Sequence, residues 1–195
     1  PWWPVAHTLA HDRFAEELRR DRDTILHEAG TLAAKHGEGW ERGEMGVLHE
    51  HFVSSSFRGV LGEMLGPLSG QVSRTVVLAC PPGELHDLPL ELFGAMLHAR
   101  SWRVVSLGAN TPMTAVADAV RILDADACVL AGVRRSVFES RMPSLTRLGR
   151  CAPVFLAGQG AVRLPEPPPM TVVLPPDLRA AADLVDEVAR ESAAG

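Results

Sequence analysis

From residue 73 onward the chain alternates short apolar runs with helical stretches. The runs are RTVVLAC (74–80), WRVVSLG (102–108), ACVLAG (127–132), APVFLAG (152–158) and MTVVLPP (170–176). They are short and rich in β-branched residues, and four of the five are followed or separated by helical patterns of about 10 to 16 residues. Strands and helices alternating at this spacing imply a parallel, doubly wound sheet. The closing stretch DLRAAADLVDEVARES puts Leu178, Ala181, Val185 and Val188 on one helical face, which would lie on that sheet. The proline-rich VRLPEPPPM (162–170) reads as a stiff loop inside the same domain.

The period is different before residue 70. Phe14, Leu18, Ile25 and Leu26, then Leu32 and Ala33, and separately Val47, Phe52, Leu61 and Leu65 recur near helical spacing, with Gly37, Gly39, Gly43 and Gly66-Pro67 as punctuation. We therefore expect a helical bundle over 1–70 and a sheet domain over 71–195. The chain does not begin with Met and shows no signal peptide, so it reads as a piece of something longer.

Composition narrows the partners. A formal charge of −5, a single lysine (Lys35) and scattered arginines leave no basic footprint for nucleic acid. No apolar run is long enough to span a bilayer. Cys80, Cys128 and Cys151 lie in or beside apolar runs without CxxC spacing, which reads as reduced, buried thiols in a cytoplasmic protein and argues against structural zinc.

If RTVVLAC is the first strand, then PPGELHDLP (81–89) is the first strand-to-helix loop, at the carboxyl edge of the sheet, where open α/β sheets bind ligands at the reversal of strand order. His86 sits there between Glu84 and Asp87. A solvated loop histidine is the simpler alternative. Against it, a metal-ligating imidazole usually passes its other ring N–H to a carboxylate, and Glu84 is placed to receive it. Neither GxGxxG nor GxxxxGK[ST] is present, so the loop is no conventional phosphate cradle, and a flavin site would rest on fold analogy alone.

The stretch GELHDLP…ARSWRVVSLGANTP resembles the cobalamin-binding region of the cobalamin-dependent photoreceptor family, whose acid-x-His-x-x-Gly loop supplies the lower axial ligand to cobalt. The resemblance implies a Rossmann-like, flavodoxin-like parallel-sheet domain under an N-terminal helical cap, with His86 ligating cobalt. It further implies a cofactor-binding set of Glu84, Leu85, His86, Asp87, Gly108, Ala109, Asn110, Thr111, Ala131, Gly132, Ala157 and Gly158. Pro89 stands where the family has glycine, and Ala131 where it often has a serine that contacts the nucleotide tail.

In the first half, Trp40, Val47, Glu50 and His51 reproduce the spacing W-x6-V-x2-E-H that resembles the light-sensing members. On a helix Val47, Glu50 and His51 share a face, whereas His49 points away from His51, which disfavours a zinc site there. Bundle core for Trp40 and Val47, with a solvated edge at Glu50-His51, is the structural alternative. The resemblance implies that Trp40 packs over an adenosyl group, that Glu50 hydrogen-bonds it and that His51 lines the same pocket. Where DNA-binding relatives often carry a histidine after the tryptophan, this chain has Glu41.

That departure directs attention to the related photocobilins, which add a bilin chromophore. Biliverdin would bind non-covalently, because no cysteine lies before Cys80, and Trp2, Trp3, His7 and His11 are candidates for its pocket. The expectation is thus a light sensor that binds adenosylcobalamin base-off, His-on, and is not an enzyme, with signalling through a conformational or homo-oligomeric change. The alternative from another class is a corrinoid carrier for methyl transfer.

Overall fold

The computed structural model describes residues 74–194. Five parallel strands, β1 Arg74–Ala79, β2 Trp102–Ser106, β3 Ala127–Ala131, β4 Val154–Ala157 and β5 Thr171–Val173, form one sheet in the order β2-β1-β3-β4-β5. This is the flavodoxin-like order, in which the chain turns back on itself between β1 and β3. All five apolar runs of the sequence appear as strands at or within their expected bounds. The expected helical cap, 1–70, lies outside the described residues.

Each strand feeds both faces, because successive side chains point to opposite sides of the pleat. Val76, Leu78, Val129 and Phe155 pack with α1 (Leu88–Ala99) and α6 (Leu178–Ala194), whereas Val77, Ala79, Leu130 and Leu156 pack with the helices of the other face. That second layer holds α2 (Met113–Ile122), α3 (Arg135–Glu139), α4 (Met142–Leu148) and α5 (Gln159–Val162). Burial on both sides explains why the strands read as continuous apolar runs and not as alternating ones. Gly94 lets α1 approach the sheet: a Cβ there would lie 2.7 Å from Leu78 Cδ1.

Two crossovers are shorter than their expected helices. Between β3 and β4 the helical stretch breaks into α3 and α4, with Pro143 in the first turn of α4, where its missing N–H costs no helix bond. After β4 only the four residues of α5 form before the proline-rich loop. The expected face of the last helix is present but shifted, since Ala181, Ala182, Val185 and Ala189 are the buried positions and Leu178 and Val188 flank them.

The cysteine reading needs one correction. Cys80 and Cys128 are buried, and burial pushes the Cys128 thiol up to about 12. Cys151 is exposed, because it lies in the turn after α4, beyond Leu148, the last residue of that helix to face the core.

The amino edge of the sheet is closed by polar contacts around Asp186 of α6. Its carboxylate accepts from Arg74 Nη2 at 3.2 Å, Trp102 Nε1 at 2.8 Å and Arg100 Nη1 at 3.1 Å. The Arg74 guanidinium lies 4.5 Å over the Trp102 ring. Among the described residues no helix is long and apolar enough to cross a membrane.

Candidate functional site

At the carboxyl edge of β1 the backbone leaves the sheet at Cys80, and Pro81-Pro82 end the run by removing two N–H donors. A turn closed by the Glu84 N–H on the Pro81 carbonyl, at 3.0 Å, carries the chain over the sheet, and α1 begins after Asp87 with Pro89 in its first turn. Pro89 is accommodated there for the reason that applies to Pro143, an N–H already without a helical partner.

The loop folds so that Glu84 points down, 2% exposed, while Leu85 stays 68% exposed and His86 partly exposed. Glu84 Oε1 accepts the His86 backbone N–H at 3.0 Å and lies 2.7 Å from His86 Nδ1. Its other oxygen, Oε2, accepts the Val133 N–H at 2.8 Å from the loop after β3. Burial works to raise the Glu84 pKa, but the hydrogen bonds from the His86 ring and from the Val133 and His86 amides outweigh it and hold the carboxyl down to about 2. A carboxylate ionised through the ordinary pH range and bound at Nδ1 favours the imidazole tautomer with its proton on Nδ1 and its lone pair on Nε2.

Two further loops meet this one, and the end of β4 meets the second of them. From the loop after β2, Asn110 donates its N–H to the Glu84 carbonyl at 2.8 Å and accepts the Gly83 N–H on Oδ1 at 2.8 Å. Thr111 is buried, donates its N–H to the Cys80 carbonyl and turns its hydroxyl to the carbonyls of Leu107 and Gly108, both at 3.1 Å. From the loop after β3, Gly132 donates its N–H to the Ala157 carbonyl at 3.0 Å, which brings Ala131-Gly132 against Ala157-Gly158. Only glycine suits position 158, with φ +86 and a Cβ that would lie 2.7 Å from the Gly132 carbonyl oxygen.

Of the residues singled out from sequence, Glu84, Leu85, His86, Asp87, Gly108, Ala109, Asn110, Thr111, Ala131, Gly132, Ala157 and Gly158 therefore lie on the loops and strand ends of one sheet edge. Trp40, Val47, Glu50 and His51 lie outside the described residues, as do Glu41, Trp2, Trp3, His7 and His11. Sequence reading missed Val133 and Arg134. The first acts through its backbone, which has no side-chain signature, and the second reaches Gly83 across 51 residues of chain.

Beside these loops an open recess of about 400 Å³ is lined by Val133, Arg134, Arg135, Ser136, Glu139 and Arg163. Of the loop residues just described it includes only Val133 and Arg134, so we place the site on hydrogen-bond geometry and not on cavity size. Among the described residues no group of three or more His, Cys, Asp or Glu side chains could hold a metal ion. The donor set offers one imidazole with a carboxylate behind it, which fits an ion that brings most of its own ligands, as cobalt does in a corrin.

No protein-family model matches the chain. It is 33% identical over 126 residues to the HTH-type transcriptional repressor CarA of Myxococcus xanthus, a match covering 60% of this chain and 44% of that protein. It is 36% identical over 131 residues to the HTH-type transcriptional repressor CarH of the same organism, covering 64% of this chain and 43% of that protein. The chain thus spans less than half the length of these relatives, to which it is homologous over the matched region. The resemblance read from the sequence is upheld to that extent. In fold it is similar to the monomethylamine corrinoid protein of Methanosarcina barkeri, with a TM-score of 0.66 at 15% identity over 89% of this chain and 88% of that one.

Proposed function

We propose that this chain, homologous to those repressors over the matched region, is the cobalamin-binding, light-sensing module of a regulator and not an enzyme. The observation that carries the reading is the pairing of Glu84 with His86 Nδ1 at 2.7 Å, at the sheet's reversal point. A fixed imidazole at that edge is what base-off, His-on ligation of cobalt requires.

In this reading His86 would offer Nε2 to cobalt, and Glu84 would hold the ring's tautomer and direction. Leu85, exposed beside it, supplies apolar surface for one face of the macrocycle. Asp87, Gly108, Ala109, Asn110 and Thr111 border the corrin, and the small residues Ala131, Gly132, Ala157 and Gly158 border the nucleotide tail. Adenosylcobalamin, when bound, supplies a cobalt–carbon bond that light breaks. The half over 1–70, expected from its sequence to be helical, would cover the upper face through Trp40, Val47, Glu50 and His51. A difference between its contacts with the upper group before and after illumination would then bias a conformational or oligomeric change. The sheet domain is then 71–195. With Glu41 after Trp40, a non-covalent biliverdin is the candidate second chromophore beside cobalamin.

The test is an absorption spectrum of the chain reconstituted with adenosylcobalamin before and after green light, for the wild type and His86→Ala. We expect a light-dependent change in the wild type and loss of the imidazole-ligated spectrum in the variant. An unchanged spectrum in His86→Ala removes the ligand assignment. The fold likeness to a corrinoid protein keeps one alternative, a methyl carrier. A carrier would favour methylcobalamin over adenosylcobalamin, and Trp40→Ala would then leave that preference untouched.

A further inference from the structure

The crest of the His86 loop is not held by packing. Gly83 is exposed and Leu85 is 68% exposed, and the stretch is anchored from below by the buried Glu84 carboxylate and by the buried Cys80 thiol, which donates to the His86 carbonyl at 3.6 Å. Neither anchor acts on Gly83 itself, so that end of the loop keeps freedom to pivot. Hydrogen bonds from two neighbouring loops remove that freedom by gripping Gly83, three residues before His86. Its N–H donates to Asn110 Oδ1 at 2.8 Å, and its carbonyl accepts from Arg134 Nη2 at 2.5 Å. The second of these is charge-assisted and short. Asn110 also donates its own N–H to the Glu84 carbonyl at 2.8 Å, so one residue after β2 holds two consecutive residues of the loop.

Both gripping residues are suited to the task. Asn110 sits at φ 52, a left-handed conformation that asparagine tolerates and that turns its short side chain toward Gly83. Arg134 follows Val133, whose N–H holds Glu84 Oε2, so the loop after β3 clasps the His86 loop at two successive positions.

We propose that Asn110 and Arg134 are positioning residues for His86, holding Gly83 at its N–H and at its carbonyl so that the imidazole stands ready before cobalt arrives. The proposal rests on the cobalamin reading and deepens it. Preorganisation of this kind removes an ordering cost from ligand binding, and each net hydrogen bond lost should therefore weaken ligation by about fivefold.

The experiment titrates the full chain with hydroxocobalamin and reads two quantities. One is the ratio of imidazole-ligated to water-ligated cobalt from absorption, checked after reduction by the nitrogen splitting of the cobalt(II) paramagnetic spectrum. The other is the rate at which the imidazole-ligated form appears. Asn110→Gly keeps the left-handed backbone and deletes the acceptor. Arg134→Ala deletes the donor, and Arg134→Lys keeps a cation of similar reach.

We expect Asn110→Gly and Arg134→Ala each to lower the ratio and the rate about fivefold, with Arg134→Lys in between and melting midpoints lowered by no more than a few degrees. Wild-type values of both quantities in Asn110→Gly and Arg134→Ala overturn the grip. So does a loss of total cobalamin affinity at an unchanged ratio, which would make the two residues contacts of the cofactor. A wild-type chain that binds hydroxocobalamin without imidazole ligation overturns the underlying reading and the grip with it, and the wild-type control separates that failure from the others.

Discussion

Opposite edges of the same sheet are each organised by a carboxylate that collects three donors. At the amino edge Asp186 accepts from two guanidiniums and an indole, and Arg100 adds Asp183 at 2.7 Å. At the carboxyl edge Glu84 accepts from two backbone amides and an imidazole. The first set has charges that cancel and side chains that end where they bond, so it staples α6 to β1, β2 and the end of α1. The second includes a ring with a second nitrogen on its far side. Equal numbers of hydrogen bonds thus give a fastener in one place and a mounted ligand in the other, and the donor's chemistry decides which.

Breaking the fastener should cost stability and leave ligation alone. Trp102 is fully buried and stacks under Arg74, so Trp102→Ala should lower unfolding free energy by about 3–5 kcal/mol in urea denaturation. The imidazole-ligated fraction of reconstituted protein should not change; a large change there would erase the division of labour.

Glu84 should act on both. Its folded pKa of about 2 lies below the ordinary 4.5, so its ionised form stabilises the fold above pH 4.5 and that contribution is lost as pH falls toward 2. Glu84→Gln should therefore cost up to about 3 kcal/mol at neutral pH, with the gap to wild type closing on acidification. Loss of the carboxylate behind a ligating histidine should also weaken imidazole ligation by about 10- to 100-fold. A pH-independent gap would mean that shape, not charge, does the holding.

Asp186→Asn comes next, at about 2 kcal/mol, since it keeps an acceptor for Trp102 Nε1 and removes the charge facing Arg74 and Arg100. Smallest is Ser106→Ala. It deletes a 2.5 Å hydrogen bond to Glu91, but the pair is solvent-exposed, and we expect less than about 0.5 kcal/mol by the same measurement.

The sheet was legible because its strands are buried on both faces and read as unbroken apolar runs, Val76–Cys80 being the clearest. The pairing of Glu84 with His86 was legible because it is local, two residues apart and one turn long. What escaped was long-range or written in the backbone. Arg74 and Asp186 meet across 112 residues with nothing nearby in the chain to announce it. The split between α3 and α4 hinges on Pro143, inside a stretch whose apolar spacing reads as one helix. The exposure of Cys151 depends on where α4 stops, which apolar pattern does not resolve to the residue.

The Val133 amide has an evolutionary corollary. A hydroxyl that steadies a carboxylate can be lost by a single codon change, but a main-chain N–H survives every substitution except proline. Drift at position 133 is therefore buffered, because the second oxygen of Glu84 is served by the backbone whatever side chain stands there. Selection falls instead on whatever sets the path of that backbone, and foremost on Gly160, where an added Cβ would lie 2.7 Å from the Arg134 carbonyl oxygen. In a library of random variants, residue 133 should accept most side chains while residue 160 accepts few.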